Sequence, residues 1–322
     1  MSMITRVATL LIALFAAGPA PGQTGYPARP VRVVVPFAPG GPSDVIARLL
    51  AQKFSESLGQ QFYVENHAGG GGNLGTALAA RTAPDGYTML VASSSFMINP
   101  GLYAKIPYDP YTDFDPVTEI ATTPNVLVVH PSVAVKSVRE LVELIRANPG
   151  KHSYANPGTG TPSHLSGEMF KLALKLDMVA VPFQGGGPMI QSVIGGHTPI
   201  AFSSMPPAAP QIREGRLRAL AVTSGRRSIA VPDVPTMAEA GVADQEGDTP
   251  QGILLPRGAP REAIDLLYRE TVRVIALSDI KQKLAAIGFE PIGSTPAEFD
   301  ARIRTEVPKW AKLIREANIK PE

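Results

Sequence analysis

The sequence predicts an α/β protein of two lobes, with mostly parallel sheets flanked by helices and a cleft between the lobes. Three observations predict it. Short β-branched runs alternate with amphipathic helical patterns from residue 31 to residue 222, the order of elements that builds parallel strands. The chain has 322 residues of which 44% are apolar, more than a usual single domain and enough for large cores. Its last quarter holds one apolar run and three helical patterns, too few strands for a sheet of its own. That tail is therefore expected to return and cover the first lobe. Lobe I is then residues 23–122 and 248–322 and lobe II residues 123–247, with crossings near Ile120–Pro124 and near Asp248–Gly252. One continuous sheet is the competing layout.

The run Val31–Phe37 (VRVVVPF) reads as a buried strand. After the turn APGGPSD comes a helix with Val45, Ile46, Leu49, Leu50, Phe54 and Leu58 on one face. Pro42 suits its first position, where a missing N–H costs nothing. QFYVEN is the next strand and leads through HAGGGGNLG into a helix TALAARTA; GYTMLVAS is a strand ahead of the helical SSFMINP. LVVHP precedes the helix VRELVELIRANPG, for which Ser137 and Glu140 make a capping box. Further strand-and-helix pairs are HSYANPGTGTPS before HLSGEMFKLALKL, VAVPFQGGGPM before IQSVIGG, and PIAFSSMPP before AAPQIREG, and LRALAVTS is a strand before a Pro-rich stretch. GILLP then precedes helical patterns at Arg261–Ala276, Ile280–Ile287 and Pro296–Asn318.

Composition excludes several functions. The 30 glycines and 32 prolines are about one residue in five, above the ~12% average but below the ~25% typical of disordered chains. A net charge of +2, with 18% charged residues and no long run of one sign, argues against a nucleic-acid partner. The absence of cysteine removes disulfides, thiolate metal sites and a Cys nucleophile. Met1–Arg6, the apolar Val7–Ala17 and the small residues Gly18–Gly22 read as a secretory signal over residues 1–22, with a buried N-terminal helix as the alternative. The apolar run is shorter than the ~20 residues of a membrane span, so a periplasmic or extracellular protein is expected.

In open α/β sheets the binding crevice lies beyond the carboxyl ends of the strands. The loops there are Phe37–Asp44, Ser93–Phe96, Gly158–His164, Gln184–Gly187 and Ser203–Pro206, and none carries Lys or Arg. Several open into helices, where free N–H groups and close-approaching glycine backbone suit an anionic group. A carboxylate fits such a site without a cation, whereas a compact tricarboxylate would bring about three charges into it. Gly70–Gly75 (GGGNLG) matches G-x-G-x-x-G, but no Asp or Glu ends the following strand, so a dinucleotide is not expected. His67, His130, His152, His164 and His197 show no metal-ligand spacing. His164 at a helix start has two readings, a ligand contact or a bond to a neighbouring loop.

The segments VPFAPGGPSDVIARLLAQKFSESLGQQFYVENHAGGGGNLGTALAARTAPDGYTML, KSVRELVELIRANPGKHSYANPGTGTPSHLSGEMF, VPFQGGGPMIQSVIGGHTPIAF and TPAEFDARIRTEVPKWAKLIREANIKPE resemble the substrate-binding proteins of tripartite tricarboxylate transporters, the Bug receptor family. The resemblance runs through essentially the whole mature chain. It implies a type II-like periplasmic-binding-protein fold whose two lobes close on a ligand, no catalysis and no cofactor, a monomer, and delivery to separate membrane transporter subunits. In such receptors the first loop and two facing loops of the second lobe hold a ligand carboxylate. By matching position this nominates Phe37, Ala38, Pro39, Gly41 and Ser43, then Ser93 and Ser94 after the third strand. From the second lobe it nominates Thr159, Gly160, Thr161 and His164, and then Gln184, Gly185 and Gly186. Ser203 and Ser204 are added by position alone.

Two departures bear on the ligand. The family often reads His-Val-Pro-Tyr-Lys-Gly where this chain has AVPFQGG (Ala180–Gly186), and it carries Trp or Tyr where this chain has Thr249 and Pro250. The loss of a hydroxyl and a cation predicts a less polar wall, with Phe183, Phe37 and Phe96 against an apolar ligand body, or alternatively in the core. The expected function is capture of a mono- or dicarboxylate, aromatic ones included. The alternatives are an exported hydrolase with a Ser/His pair in the cleft, and a ligand-sensing receptor for a signalling partner.

Overall fold

The computed structural model describes residues 25–320; the expected secretory signal lies outside them. The first lobe alternates β1 (Val31–Val35), α1 (Pro42–Leu58), β2 (Phe62–Asn66), α2 (Asn73–Ala80), β3 (Thr88–Ser93) and α3 (Ser95–Leu102). Strand β4 (Phe114–Thr122) leads out to β5 (Asn125–Val129), α4 (Val138–Ala147), β6 (His152–Asn156), α5 (Pro162–Leu174), β7 (Met178–Pro182), α6 (Gly186–Ile194), β8 (Ile200–Ser204), α7 (Met205–Arg213) and β9 (Arg218–Val222). The chain returns through β10 (Gln251–Pro256), α8 (Arg261–Ala276), α9 (Ser278–Ala286), β11 (Glu290–Pro291) and α10 (Pro296–Glu316).

Two sheets result, not one: a six-stranded sheet ordered β11-β4-β10-β3-β1-β2 and a five-stranded sheet ordered β7-β6-β8-β5-β9. They are mixed, which corrects the expectation of mostly parallel sheets. β1 pairs parallel with β2 and β3, and β6 with β7 and β8, but every pairing of β4, β5 and β10 is antiparallel. The reason lies in the crossings. β4 leaves the first lobe beside β10, which enters it, and strands that leave and enter side by side must run in opposite directions; β5 and β9 do the same in the second lobe.

Alternate residues of β1 serve two cores, as the period of a strand demands. Val31, Val33 and Val35 pack with Ile46, Leu50 and Phe54 of α1 and Leu267 of α8, whereas Val34 packs with Leu254 and with Phe299, Ile303 and Val307 of α10. Each such side chain contributes about 1.5–3 kcal/mol by leaving water. The C-terminal helices α8 and α10 thus pack on the first sheet.

Some element starts differ from the sequence reading. α2 begins at Asn73, α5 at Pro162, α6 at Gly186 and α7 at Met205, two to four residues early, because glycine and proline that read as loop occupy the first turn, where proline is tolerated. Ser137 does accept the Glu140 N–H at 3.2 Å, but the Glu140 carboxylate reaches back to the Lys136 N–H at 2.7 Å, so the reciprocal half of that capping box falls one residue early. A complete box opens α10, where Thr295 and Glu298 bond each other's N–H. β11 has only two residues, too few to leave a periodic signal.

Candidate functional site

Helices α1, α5 and α6 each start directly after a loop at the carboxyl end of a strand, and their N-termini meet between the lobes. A narrow pocket of about 20 Å³ lies there, room for about one water molecule. The first lobe contributes Phe37, Gly41, Pro42, Ser43 and Ser93 to its wall. The second contributes Pro157, Thr161, Pro162, Ser163, Gly186 and Ser204, and Thr249 enters from the returning crossover. Among the described residues no Lys, Arg or His lines it. Neither α1 nor α6 has a side-chain cap, so their first-turn N–H groups, which have no acceptor within the helix, carry partial positive charge toward this space. α5 differs, since the Thr161 hydroxyl accepts the His164 N–H at 3.3 Å.

The loop after β1 is held by Asp44, a residue 4% exposed. Its carboxylate accepts the Gly40 N–H at 2.9 Å, the Arg48 guanidinium at 3.0 Å and the Asn66 amide at 2.9 Å. Asn66 also donates to the Phe37 carbonyl at 2.9 Å. Burial opposes ionisation of Asp44, but the bonds from Arg48, Gly40 and Asn66 outweigh it and hold the carboxyl below its usual range. The loop backbone is thereby fixed before any ligand arrives.

A chain of hydrogen bonds runs along the cleft floor from one lobe to the other. Ser43 donates to Gln251 at 2.6 Å, Gln251 to the Thr249 carbonyl at 3.3 Å, and Thr249 (3.3 Å) and Ser163 (2.7 Å) both donate to Asn125 Oδ1. Asn125 and Gln251 are fully buried.

The nominated residues divide into three groups. Phe37, Gly41, Ser43, Ser93, Thr161, Gly186 and Ser204 lie on the pocket wall. Ala38, Pro39, Gln184 and Gly185 instead bind lobe to lobe: the Ala38 N–H donates to the Gln184 carbonyl at 2.9 Å, and Gly185 and Gly187 stand against Ala38 and Pro39 with no room for a side chain. Thr159 and Gly160 make the same kind of contact at the other rim, where Tyr103 donates to the Thr159 carbonyl at 3.2 Å and Gly160 abuts Asn99. The remaining three lie behind the wall. Ser203 donates to the Ser204 carbonyl at 2.9 Å, Ser94 has no side-chain partner, and the His164 ring accepts the Gly160 N–H at 3.4 Å. The loop-bonding reading of His164 is therefore the one observed, and burial pushes its imidazole below the usual range, against Glu168.

For two of the three phenylalanines the core reading is the one the structure favours. Phe183 does not line the pocket; half-buried, it packs against the core cluster that includes Met189 and Ile190 of α6 and Met205 of α7. Phe96 stacks on Tyr108 at 5.3 Å, which leaves Phe37 as the one aromatic of the three on the main pocket wall. Gln184 takes part through its carbonyl. Pro42, Pro157, Pro162, Ser163 and Thr249 were not nominated, although Ser163 lies inside the GTGTPSH loop and Thr249 stands at a departure from the family pattern.

Comparison with known proteins identifies close relatives of this arrangement. The family model described as "Tripartite tricarboxylate transporter family receptor" matches residues 46–319. The chain is 36% identical over 325 residues to protein BugT of Bordetella pertussis (strain Tohama I), covering 99% of each chain. Among solved structures, periplasmic binding protein BugD superposes with a TM-score of 0.89 at 34% identity, covering 92% of this chain and 100% of its own. R. palustris Rpa4515 with adipate gives the same TM-score, 0.89, identity, 34%, and coverage, 92% and 100%. These neighbours are substrate-binding receptors, not enzymes.

Proposed function

This chain belongs to the tripartite tricarboxylate transporter receptor family, the Bug receptors, and from that premise we propose that it captures a small organic mono- or dicarboxylate between two closing lobes and hands it to separate membrane subunits. The observation that carries the ligand class is the pocket at the uncapped N-termini of α1 and α6 with no cation among the described residues of its wall. Charge-assisted hydrogen bonds from such N–H groups are worth roughly 1.5–3 kcal/mol each, and micromolar binding needs about 8 kcal/mol net. A few amides and hydroxyls suffice for one carboxylate, and a compact tricarboxylate is disfavoured. Phe37, Pro42, Pro157 and Pro162 on the wall suit a ligand with an apolar body. The binding loops we assign are those nominated from sequence, with Ser163 and Thr249 added. We assign residues 23–122 and 248–322 to one lobe and 123–247 to the other, and residues 1–22 to an export signal that places a monomeric receptor in the periplasm.

A thermal-shift series tests the ligand class. A ligand at 100 times its Kd stabilises the native state by about 2.7 kcal/mol, a rise of several degrees for a chain of this size. Adipate and monocarboxylates with apolar bodies are expected to raise Tm. A rise with citrate and none with these would overturn the proposal.

A further inference from the structure

Residues Ala286–Glu290, the turn from α9 into β11, line no part of the pocket, yet the second lobe bears directly on them. A Cβ built on Gly288 would lie 2.2 Å from Cγ and 2.8 Å from Cβ of Met205, and 3.6 Å from Ala230. Its φ of +83° also favours glycine. Thr123 Oγ1 donates to the Gly288 carbonyl at 2.8 Å, and Arg213 to the Ala286 carbonyl at 3.3 Å. Arg226 pairs with Glu290 at 2.7 Å, and among the described residues this is the one ion pair between residues 123–247 and the rest of the chain. β11 pairs Glu290 with Thr122 and Pro291 with Ala121, which fixes the turn beside the outgoing crossing. Met205 opens α7 directly after Ser204 of the pocket wall, and its N–H donates to the Pro124 carbonyl at 3.0 Å. A shift of Met205 on Gly288 therefore carries Ser204 with it. The Arg226–Glu290 pair spans an open groove of about 540 Å³ whose walls also include Thr122, Pro124 and Asp248. Asp248 faces this groove while its neighbour Thr249 lines the pocket, as alternation along an extended chain requires, so the groove lies on the outer face of the crossings.

We propose that the turn Ala286–Glu290 is the seat that sets the closed angle of the two lobes, and that Gly288, Arg226 and Glu290 are positioning residues for ligand capture although none lines the pocket. The proposal rests on the reading of two closing lobes and deepens it. In one arrangement Ala38 meets Gln184 at the cleft rim, at 2.9 Å, and Arg226 meets Glu290 on the outer face, at 2.7 Å. Ties on opposite sides of the same crossings reach bonding distance together over a narrow range of lobe angles, so each favours the angle that encloses a ligand. Glycine at 288 lets Met205 come fully down onto the seat. A methyl there would hold it off by about 1.3 Å, since non-bonded heavy atoms settle near 3.5 Å, and Ser204 would move with it.

Calorimetric titration of the mature protein with adipate, or with the acid that gives the largest thermal shift, tests this. Gly288→Ala and Gly241→Ala both force a side chain into a left-handed φ, +83° and +87°, but the methyl added at Gly241 meets nothing within 4 Å. Both are expected to lower Tm through that strain, and only Gly288→Ala to lose affinity, by about tenfold or more. The Arg226 and Glu290 side chains are 78% and 47% exposed, so reversing their charges leaves the fold intact. Glu290→Arg is expected to weaken binding about two- to tenfold, and Arg226→Glu in the same chain to restore it. In 1 M NaCl the difference from wild type should shrink, because charges are then screened within about 3 Å. Gly288→Ala that binds as tightly as Gly241→Ala, or Glu290→Arg with wild-type affinity, would overturn the seat while leaving the receptor reading intact. Binding of none of the acids by the wild-type chain would count against the receptor reading itself.

Discussion

The sharpest prediction concerns Gly187. A Cβ built on it lies 2.0 Å from the Pro39 carbonyl oxygen of the opposite lobe. Non-bonded heavy atoms settle near 3.5 Å, so Gly187→Ala must hold the two loops apart by about 1.5 Å at this point. The neighbouring bond from the Ala38 N–H to the Gln184 carbonyl, now 2.9 Å, would pass out of hydrogen-bonding range. Overpacking at a closed contact costs roughly 1–3 kcal/mol, which corresponds to about a 5- to 150-fold loss of affinity. The fold itself should not suffer. Gly187 is in the first turn of α6 with no left-handed φ, and alanine there favours the helix. Calorimetric titration with adipate, or with the acid that gives the largest thermal shift, is expected to show this loss while the unliganded Tm stays the same or rises. Wild-type affinity in Gly187→Ala would refute the reasoning, because the closed contact between the loops would then play no part in holding ligand.

Three further outcomes are expected. Gly252→Ala places a methyl 2.2 Å from Cζ at the edge of the Phe299 ring and should lower stability by about 1–3 kcal/mol, with Phe299→Leu in the same chain restoring part of it in a double-mutant cycle read by denaturant melts. Asp44→Asn should lower Tm at neutral pH and flatten the acid transition. The folded carboxyl lies below its unfolded value, so its stabilisation is present above about pH 4 and lost as pH falls through the folded value. His164 runs the same way in pH for a different reason. Burial holds its imidazole low, the unfolded chain takes the proton first, and stability is full above about pH 6.5 and falls as pH drops toward the folded value; His164→Asn should remove that dependence from a pH series of melts, and an unchanged series would count against it.

Much of this was readable in the residues. The β-branched runs marked nearly every strand, since a strand buried on both faces needs apolar side chains at consecutive positions, and one-sided apolar stripes marked α1 and α8. Strand direction was not readable: GILLP reads the same whichever way it runs, β4 was not read as a strand, and only the two crossings force β4 and β10 to be antiparallel. Helix starts were missed for a local reason, because Gly186 and Pro206 look like loop yet occupy first-turn positions. The loops that wall the pocket are among those nominated from sequence, but which of their side chains line it was not legible. Thr161 and His164 are three residues apart on the same turn, and one lines the pocket while the other turns back to Gly160.

The glycines gain a second role from this geometry. Gly40 meets Gly187, Gly71 meets the Thr159 carbonyl, and Gly160 meets the Asn99 amide, each across the cleft. The N–H groups offered to a carboxylate sit on both lobes, at the starts of α1 and α6, so one carboxylate can reach both sets only if the loop backbones nearly touch. Protein N–H···O hydrogen bonds fall at about 2.7–3.2 Å between donor and acceptor, and the shift of roughly 1.5 Å that a Cβ would force at the tightest of these contacts exceeds that range. Glycine at the rims is therefore what allows dipoles from two separate lobes to act on one small anion, and a cation-free pocket depends on that convergence.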